Sequence, residues 1–338
     1  MINIGVIGCG HWGPNHIRNF TNLQNSKVIA VSDLDQNRLN NIKTQYPGIV
    51  VEKDYKNLLK NDNIDAVVIS TPTKSHYKIA KDSLNQGKHV LCEKPLCFTV
   101  KEATKLVELS KSNKLILMVG HVFLFNNGIK EIKNLIVKKN LGNIYYISAT
   151  RTNLGPIRND VNSVYDLASH DISIFNFLFD SLPIEVSAVG MCCLQTNIED
   201  VTFISLKYPK NILANIRVSW LDPKKVRQIT VVGNKKMVSW DDLSLAGPIT
   251  IYDKGVIKEP YYRDYGEFQL ITHEGDAFIP KIKKEEPLQA QARYFLECIE
   301  NNKIKISNGK FGLDVVKVVD CINISIKYNG IPIKIKSR

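Results

Sequence analysis

Gly8-Cys9-Gly10-His11-Trp12-Gly13 follows the apolar run Ile4–Ile7 and precedes a helix-like stretch. This order predicts a turn between a buried strand and a helix, in which each glycine has a separate task. Gly8 permits the tight bend, Gly10 lets the backbone approach a pyrophosphate, and Gly13 lets the helix pack closely on the strand. The free N–H groups at the start of that helix would favour the phosphates.

An acidic residue stands at the distance that such a turn requires. Lys27–Val31 is predicted as the next strand, and Asp33 lies 20 residues beyond Gly13. A carboxylate there can accept hydrogen bonds from both ribose hydroxyls of a dinucleotide, and it repels a 2′-phosphate. The pattern therefore predicts NAD as cofactor, while Arg38 leaves NADP open. His11 and Trp12 are further candidates for cofactor contact.

Composition limits the class of protein. The 338 residues are enough for two domains, and 44% hydrophobic and 23% charged residues are ordinary for a globular protein. The net charge of +12 comes from lysines spread along the chain, without a long basic block. Nucleic-acid binding is therefore not expected, although a positive field would attract an anionic substrate.

Several features indicate the cellular location and the state of the cysteines. No apolar run is long enough to span a membrane and no signal-peptide pattern is present, so a cytoplasmic location is expected. No metal motif occurs, and the seven cysteines lack zinc-type spacing. They are predicted to be reduced core residues: Cys9, Cys92, Cys97, Cys192, Cys193, Cys298 and Cys321.

The first 120 residues alternate short apolar runs with helical patterns. This alternation predicts an α/β fold with a doubly wound parallel sheet that binds ligands at the carboxyl ends of its strands. The strand candidates are Ile4–Ile7, Val28–Val31, Ala66–Ser70, His89–Cys92 and Leu115–Val119. The helix candidates are Asn15–Thr21, Gln36–Gln45, Tyr55–Leu59, His76–Gln86 and Val100–Ser112.

The pattern changes after residue 120, which predicts domains over 1–120 and 121–338. Successive strands indicate an α+β domain with a large, mostly antiparallel open sheet. One face of this sheet is expected to bury against a partner chain in a homodimer or homotetramer. The strands are Asn143–Arg151, Glu185–Cys192, Val201–Tyr208, Asn211–Trp220, Val226–Val232, Lys236–Trp240 and Thr250–Tyr252; the helices are Gly128–Lys139, Tyr165–Phe179, Pro287–Glu300 and Leu313–Tyr328.

Candidate reacting groups follow from this layout. Lys94 stands between Glu93 and a proline at a predicted strand end, where an ammonium can stabilise charge on a substrate oxygen. A solvated loop lysine is the plain alternative. Asp166 and His170 are four residues apart, which puts them on one face of a helix. There a carboxylate can orient a histidine that acts as general base. A buried pair that only holds the helix is the alternative.

Other residues are weaker candidates. Thr71 and Pro72 end a strand on the cofactor side, and His76 either contacts the cofactor or caps a helix. His121 begins the passage to the second domain and is a candidate for lining the substrate cleft. Three scarce arginines of the second domain are candidates for binding a substrate carboxylate or phosphate, or are ordinary surface residues: Arg151, Arg158 and Arg227.

Together these motifs resemble the Gfo/Idh/MocA oxidoreductases over nearly the whole chain. The resemblance rests on the glycine turn, Thr71–His76, Glu93-Lys94-Pro95 and Asp166–His170. It implies a Rossmann domain, a C-terminal domain with an open sheet, and hydride transfer between a nicotinamide and a carbohydrate or polyol carbon. It also implies that Lys94 is the catalytic lysine and His170 the general acid or base, with Asp166 beside it.

A narrower resemblance points to a bacterial branch that includes UDP-N-acetylglucosamine and glucuronate 3-dehydrogenases of surface-polysaccharide pathways. Its marks are Val119–His121, Arg151–Gly155, Asp166–Ile172 and Val218–Pro223. Three alternatives stay open at this point: a cyclitol dehydrogenase or keto-sugar reductase, a non-catalytic NAD-binding regulator, and a basic RNA-binding protein.

Overall fold

The structure is a computed structural model that describes residues 1–258 and 270–336. It contains two compact units, Met1–Phe125 with Glu285–Lys317 and Asn126–Lys284 with Val318–Arg338. The units differ from a single division at residue 120, because residues 285–317 return to the first unit.

Aromatic and polar contacts hold this returning segment in the first unit. The ring of Phe295 meets Phe20 edge to face with centroids 6.3 Å apart. Glu286 accepts a hydrogen bond from Asn19 Nδ2 at 3.1 Å and forms an ion pair with Arg18. These contacts join residues more than 260 positions apart, which no local pattern reveals.

The first unit is built around six parallel strands in the order β3-β2-β1-β4-β5-β6. The predicted doubly wound parallel sheet is therefore confirmed, and its order reverses between β1 and β4. In chain order the elements are β1 (Ile2–Ile7), α1 (Gly13–Thr21), β2 (Ser26–Ser32), α2 (Gln36–Gln45), β3 (Val50–Glu52), α3 (Tyr55–Leu59), β4 (Ala66–Ile69), α4 (Thr73–Asn85), β5 (His89–Cys92), α5 (Val100–Ser112) and β6 (Leu117–Val119).

Most of these elements match the sequence predictions. Three helices agree at both ends: α2, α3 and α5. The helix predicted from His76 begins at Thr73 instead, because the extended backbone of Pro72 forms its N-cap. Strand β3 was not predicted, since three residues are too few to show a period. The residues of β4 are all buried, which is why that strand is a continuous apolar run.

The second unit is built around nine strands in the order β14-β13-β12-β11-β7-β10-β9-β8-β15. All neighbouring pairs are antiparallel except β7 with β10, so the predicted, mostly antiparallel sheet is confirmed. The elements are α6 (Asn127–Val137), β7 (Ile144–Leu154), α7 (Ser169–Phe179), β8 (Glu185–Met191), β9 (Val201–Tyr208), β10 (Ile212–Ser219), β11 (Leu221–Gly233), β12 (Met237–Asp241), β13 (Ile249–Lys258), β14 (Leu270–Phe278) and β15 (Ile333–Lys334).

Two long helices complete the chain, α8 (Pro287–Glu300) and α9 (Gly309–Lys327). Helix α8 agrees with its prediction at both ends, whereas α9 begins four residues before the predicted Leu313. Strands β14 and β15 were not predicted. Among the helices of the described residues, none has the length and apolar character that crossing a bilayer requires.

Candidate functional site

The glycine turn has the geometry that its sequence predicts. Gly8 has φ +98°, and a Cβ there would lie 2.7 Å from the carbonyl carbon of Ser70. A Cβ on Gly13 would lie 2.2 Å from the carbonyl oxygen of Gly8. A side chain is therefore excluded at both positions, and α1 starts directly behind the turn. A Cβ on Gly10 would meet only Arg38 Nη1, at 3.4 Å, so this side of the loop stays open.

Asp33 follows β2 and turns its carboxylate toward the glycine turn. Its Oδ2 accepts a hydrogen bond from the Cys9 N–H at 2.6 Å, and its Oδ1 accepts one from the Asp35 N–H at 2.8 Å. Arg38 lies 3.7 Å from Asp33 Oδ2 and is half exposed. Open backbone at Gly10, a helix N-terminus and a fixed carboxylate together fit a dinucleotide, with phosphates at the loop and ribose at Asp33.

The other residues predicted to meet the cofactor lie around this turn. The exposed ring of Trp12 packs edge to face on His11, with centroids 5.5 Å apart. Directly after the neighbouring strand β4, Ser70 Oγ donates to the Gly8 carbonyl at 2.7 Å, which brings the Thr71 and Pro72 loop beside the glycine turn. Contact of any of these residues with a bound cofactor stays a prediction.

Burial favours the protonated thiol at three cysteines of the first unit, Cys9, Cys92 and Cys97. Burial, and then the charge of Asp33, raise the pKa of the Cys9 thiol to about 12. Burial raises the pKa of Cys97 to about 12 and holds that of Cys92 well above its usual value. The prediction that all seven cysteines are core residues was wrong for Cys192 and Cys193, which are exposed because β8 ends at Met191.

Lys94 lies in a loop that the protein holds tightly. The loop follows β5, and the Lys94–Pro95 peptide bond is cis. The ring of His76, 1% exposed, lies between two backbone carbonyls, with Nδ1 2.8 Å from Pro95 O and Nε2 2.8 Å from Thr71 O. His76 therefore links the loops that follow β4 and β5 from inside, rather than capping a helix. Its predicted cofactor contact stays a prediction.

His121 follows β6 and is 1% exposed. Its Nδ1 lies 2.7 Å from Ser307 Oγ, and the Ser307 hydroxyl donates its hydrogen to Val119 O at 2.7 Å. The hydroxyl oxygen must then accept from Nδ1–H, which leaves Nε2 of the neutral ring as an acceptor. Burial first, and then the charge of Lys94, lower the pKa of His121 from 6.5 to about 3. His121 is therefore neutral at physiological pH.

In the second unit, Asp166 lies in a π-helical turn, Val164–Ala168, that leads into α7. Its Oδ1 accepts from Arg158 Nη1 at 3.2 Å and its Oδ2 from Trp220 Nε1 at 3.1 Å. His170 is half-buried in the first turn of α7. The prediction of a shared helix face assumed a regular α-helix, and the wider π turn alters that spacing.

The three candidate arginines are all in ion pairs. Arg151 is 3% exposed and donates from Nε and Nη2 to the two oxygens of buried Asp171, at 2.9 and 2.8 Å. Burial and the bidentate pair with Asp171 indicate a structural role for Arg151, and its predicted contact with a substrate stays a prediction. Arg158, whose side chain is about one-third exposed, forms ion pairs with Asp160 and Asp166. Its hydrogen bond with Asp160 is the main reason that the pKa of Arg158 is raised.

Arg227 has a similar setting to Arg158. It pairs with Asp242 at 3.0 Å and is also about one-third exposed. Both arginines therefore keep part of the guanidinium at the surface, and both stay candidates for binding an anionic substrate.

Three residues that contact the candidate site residues or their neighbours were not identified from the sequence. Trp220 was predicted only as the end of a strand, yet its indole N–H donates to Asp166. Ser307 is 186 positions from its partner His121, so no local pattern indicates it. His16 had a signal, because it shares the buried stripe of α1 with Gly13, Ile17 and Phe20. A histidine on an apolar helix face needs a polar partner.

The fold and the glycine turn define a dinucleotide-binding protein. Comparison with known families agrees: residues 2–121 match the model of the oxidoreductase family with an NAD-binding Rossmann fold, and residues 129–239 match the GFO/IDH/MocA C-terminal domain. The chain belongs to the Gfo/Idh/MocA oxidoreductase family. The expected enzyme class, an NAD-dependent dehydrogenase, is thereby confirmed.

Relatives with assigned activities are similar to the chain at low identity. It is 26% identical to the myo-inositol 2-dehydrogenase of Thermotoga maritima, over 85% of this chain and 90% of the relative. It is 24% identical to the UDP-N-acetylglucosamine 3-dehydrogenase of Acidithiobacillus ferrooxidans, over 96% of both chains. A crystal structure of that enzyme has a TM-score of 0.82 at 23% identity, covering 97% of this chain and 98% of its own.

A solved structure with cofactor shares the fold as well. GenD2 from gentamicin A biosynthesis, in complex with NAD, has a TM-score of 0.83 at 17% identity, covering 99% of this chain and 97% of its own. This likeness shows that the fold of the present chain is one on which NAD is known to bind.

Proposed function

We propose that the protein transfers a hydride between NAD and a sugar hydroxyl or ketone, and that its substrate is a nucleotide sugar used in surface-polysaccharide biosynthesis. The observation that carries this proposal is the Lys94 loop. It follows a parallel strand at its carboxyl end, where such sheets bind ligands, and two buried histidines, His76 and His121, hold or flank it. The UDP-N-acetylglucosamine dehydrogenase relative supports the substrate class.

The proposed chemistry assigns separate tasks to two residues. When bound, NAD supplies the hydride acceptor. Lys94 donates a hydrogen bond to the substrate oxygen and stabilises the negative charge that develops as its proton leaves. His170 accepts that proton as general base. Asp166, held by Arg158 and Trp220, fixes the π-helical turn that precedes His170.

The cofactor site of the proposal is the cradle of the first unit. The residues proposed to contact NAD are Gly8, Gly10, His11, Trp12, Gly13, Asp33, Thr71, Pro72, His76, Glu93 and Lys94. Arg38, half exposed beside Asp33, would also allow NADP, since a guanidinium can pair with a 2′-phosphate. For the substrate we keep His121 as a neutral acceptor and Arg158 and Arg227 as partners for a diphosphate.

Oligomerisation is proposed through the open face of the second sheet. Register places four large apolar residues on that face in adjacent strands, and each is about half exposed: Val189, Phe203, Leu213 and Tyr146. Along the strands these residues form two apolar pairs, Val189 with Phe203 and Leu213 with Tyr146, and polar residues such as Ser205 and Asn215 lie between the pairs. An exposed face that mixes apolar and polar side chains is typical of a protein–protein interface. The occupant we propose is the same face of a second copy, as in a homodimer or homotetramer.

Turnover of two variants tests the proposed chemistry. We expect Lys94→Ala and His170→Ala each to lower kcat by at least ~10²-fold while NADH binding, followed by fluorescence, persists. The matched controls are exposed residues of the same types, Lys105→Ala and His273→Ala, which should keep full activity. Near-normal turnover in both test variants would refute the assignment.

A substrate panel separates the remaining candidates. A cyclitol dehydrogenase, which the myo-inositol relative supports, would reduce NAD with inositols and not with nucleotide sugars. A keto-sugar reductase would run only in the opposite direction, oxidising NADH. A non-catalytic regulator would bind NADH and turn over none of these compounds.

A further inference from the structure

His16 is a buried histidine of α1 that the proposed chemistry does not use. It is 1% exposed and lies in the first turn of α1, where its N–H donates to Trp12 O at 3.1 Å. It therefore belongs to the same turn of helix whose N-terminus faces the phosphate-binding loop. Its side chain reaches Glu93, which directly follows β5.

The partner of His16 is the residue next to Lys94. Nε2 of His16 lies 2.8 Å from Glu93 Oε1, and the two residues are 77 positions apart. A carboxylate only accepts hydrogen bonds, so Nε2 must carry the hydrogen. The ring is thus oriented by a single donor contact, since the buried Nδ1 has no hydrogen-bond partner among the described residues.

The same Glu93 carboxylate also binds the backbone of Lys94. Its second oxygen, Oε2, accepts a hydrogen bond from the Lys94 N–H at 3.2 Å, and its own N–H donates to Ile69 O on β4 at 2.9 Å. One carboxylate therefore bridges the helix of the phosphate-binding loop and the backbone of the proposed catalytic lysine. A charged carboxylate in two such hydrogen bonds is held firmly.

The space for this bridge is made by Gly120. A Cβ on Gly120 would lie 3.0 Å from Glu93 Oε2 and 3.2 Å from Glu93 Cα. A larger residue would push the carboxylate away from the Lys94 N–H. Glu93 is 13% exposed, so little solvent competes for its oxygens.

We propose that His16 is a positioning residue that acts through Glu93 to fix the backbone of Lys94 relative to the phosphate-binding helix. The inference rests on the proposed function insofar as Lys94 is the catalytic lysine. It predicts that loss of the His16 donor harms the step that depends on Lys94 far more than it harms cofactor affinity, because the phosphate-binding N–H groups of α1 stay in place.

The test compares His16→Leu, which removes the donor, with His16→Gln, whose amide can still donate to Glu93. We expect His16→Leu to lower kcat roughly 10- to 100-fold, as for misplacement of a reacting group by about 1 Å, with the KM for NAD changed by less than about 3-fold. His16→Gln should recover most of this loss. If His16→Leu does not fold, His16→Asn, whose shorter amide falls short of Glu93, takes its place.

A second measurement needs neither cofactor nor turnover. Hydrogen exchange of the peptide spanning residues 91–97 should be faster in His16→Leu than in the unaltered protein and unchanged in His16→Gln, because the Lys94 N–H loses its fixed acceptor. In a Glu93→Gln background, His16→Leu should cause little further loss of kcat, since the effect passes through Glu93.

The outcomes separate this inference from the proposed function. Unchanged exchange and unchanged kcat in His16→Leu would overturn the inference, as would equal losses in the Leu and Gln variants, which would mean that the ring only fills space. Full turnover in Lys94→Ala would instead overturn the proposed function, while faster exchange in His16→Leu would still support the link from His16 to the Lys94 backbone.

Discussion

Acid should destabilise the protein through His121, and the size of the effect follows from its environment. The pKa of His121 in the folded protein is about 3, against 6.5 for an ordinary histidine, because the ring is buried and lies near the Lys94 charge. Between these two values the unfolded chain binds a proton that the folded protein does not. The contribution of neutral His121 to the free energy of unfolding is therefore complete above pH 6.5 and is lost as the pH falls toward 3.

The magnitude at pH 5 can be worked out from that difference. One pKa unit corresponds to about 1.4 kcal/mol, so a fall from above 6.5 to pH 5 costs about 2 kcal/mol of unfolding free energy. His121→Asn removes the titrating group, while its amide can still donate to Ser307. We expect the loss of unfolding free energy between pH 7.5 and 5.0 to be about 2 kcal/mol smaller in this variant than in the unaltered protein.

The assay is urea unfolding of both proteins at the two pH values, followed by circular dichroism. His89, whose pKa burial also lowers, titrates in both proteins, so its contribution cancels in the comparison. Equal pH dependence of the two proteins would refute the reasoning, since it would mean that folded His121 takes up a proton as readily as an exposed histidine.

Two further predictions concern the second unit. Arg151→Met alone should lower the unfolding free energy by about 3–5 kcal/mol, because it leaves the Asp171 charge buried and unpaired. Adding Asp171→Leu should restore most of this loss. Urea unfolding of both variants measures the effect, and a double variant as unstable as the single one would contradict the prediction. Phe203→Glu should reduce the mass measured by light scattering to that of the 38.2 kDa monomer, with Lys105→Glu as control. An unchanged mass, or a monomeric unaltered protein, would rule out the proposed interface.

The sequence predicted the first unit more closely than the second for a physical reason. Parallel strands buried on both faces, such as β4, are unbroken apolar runs, and the glycine turn fixes where the first helix starts. In the second unit, nothing in the alternation of β7 and β10 tells a parallel pair from an antiparallel one. The return of residues 285–317 to the first unit depends on contacts such as Phe20 with Phe295, which are remote in sequence.

In the candidate site too, some residues were predictable from the sequence and others were not. Spacing placed Lys94 at a strand end and Asp33 beside the glycine turn, because both positions follow from one strand and its loop. It could not show that Arg151 is neutralised by Asp171, or that Glu93 is shared by His16 and Lys94. These are side-chain pairs between different elements, and periodicity reports only which face of an element is apolar.

Side-chain pairs that periodicity does not reveal matter for the proposed chemistry, as the buried histidines of the first unit show. His16 contacts Glu93 and His76 contacts Pro95 O, so two helices hold the residues on either side of Lys94, while His121 contacts Ser307. An imidazole can donate one hydrogen bond inside the protein without adding a permanent charge, whereas lysine or arginine would add one. A permanent second cation beside Lys94 would repel its ammonium group, disfavour its charged form and compete for an anionic substrate oxygen. Histidine is thus the residue that can fix this loop and leave the charge of Lys94 to the substrate.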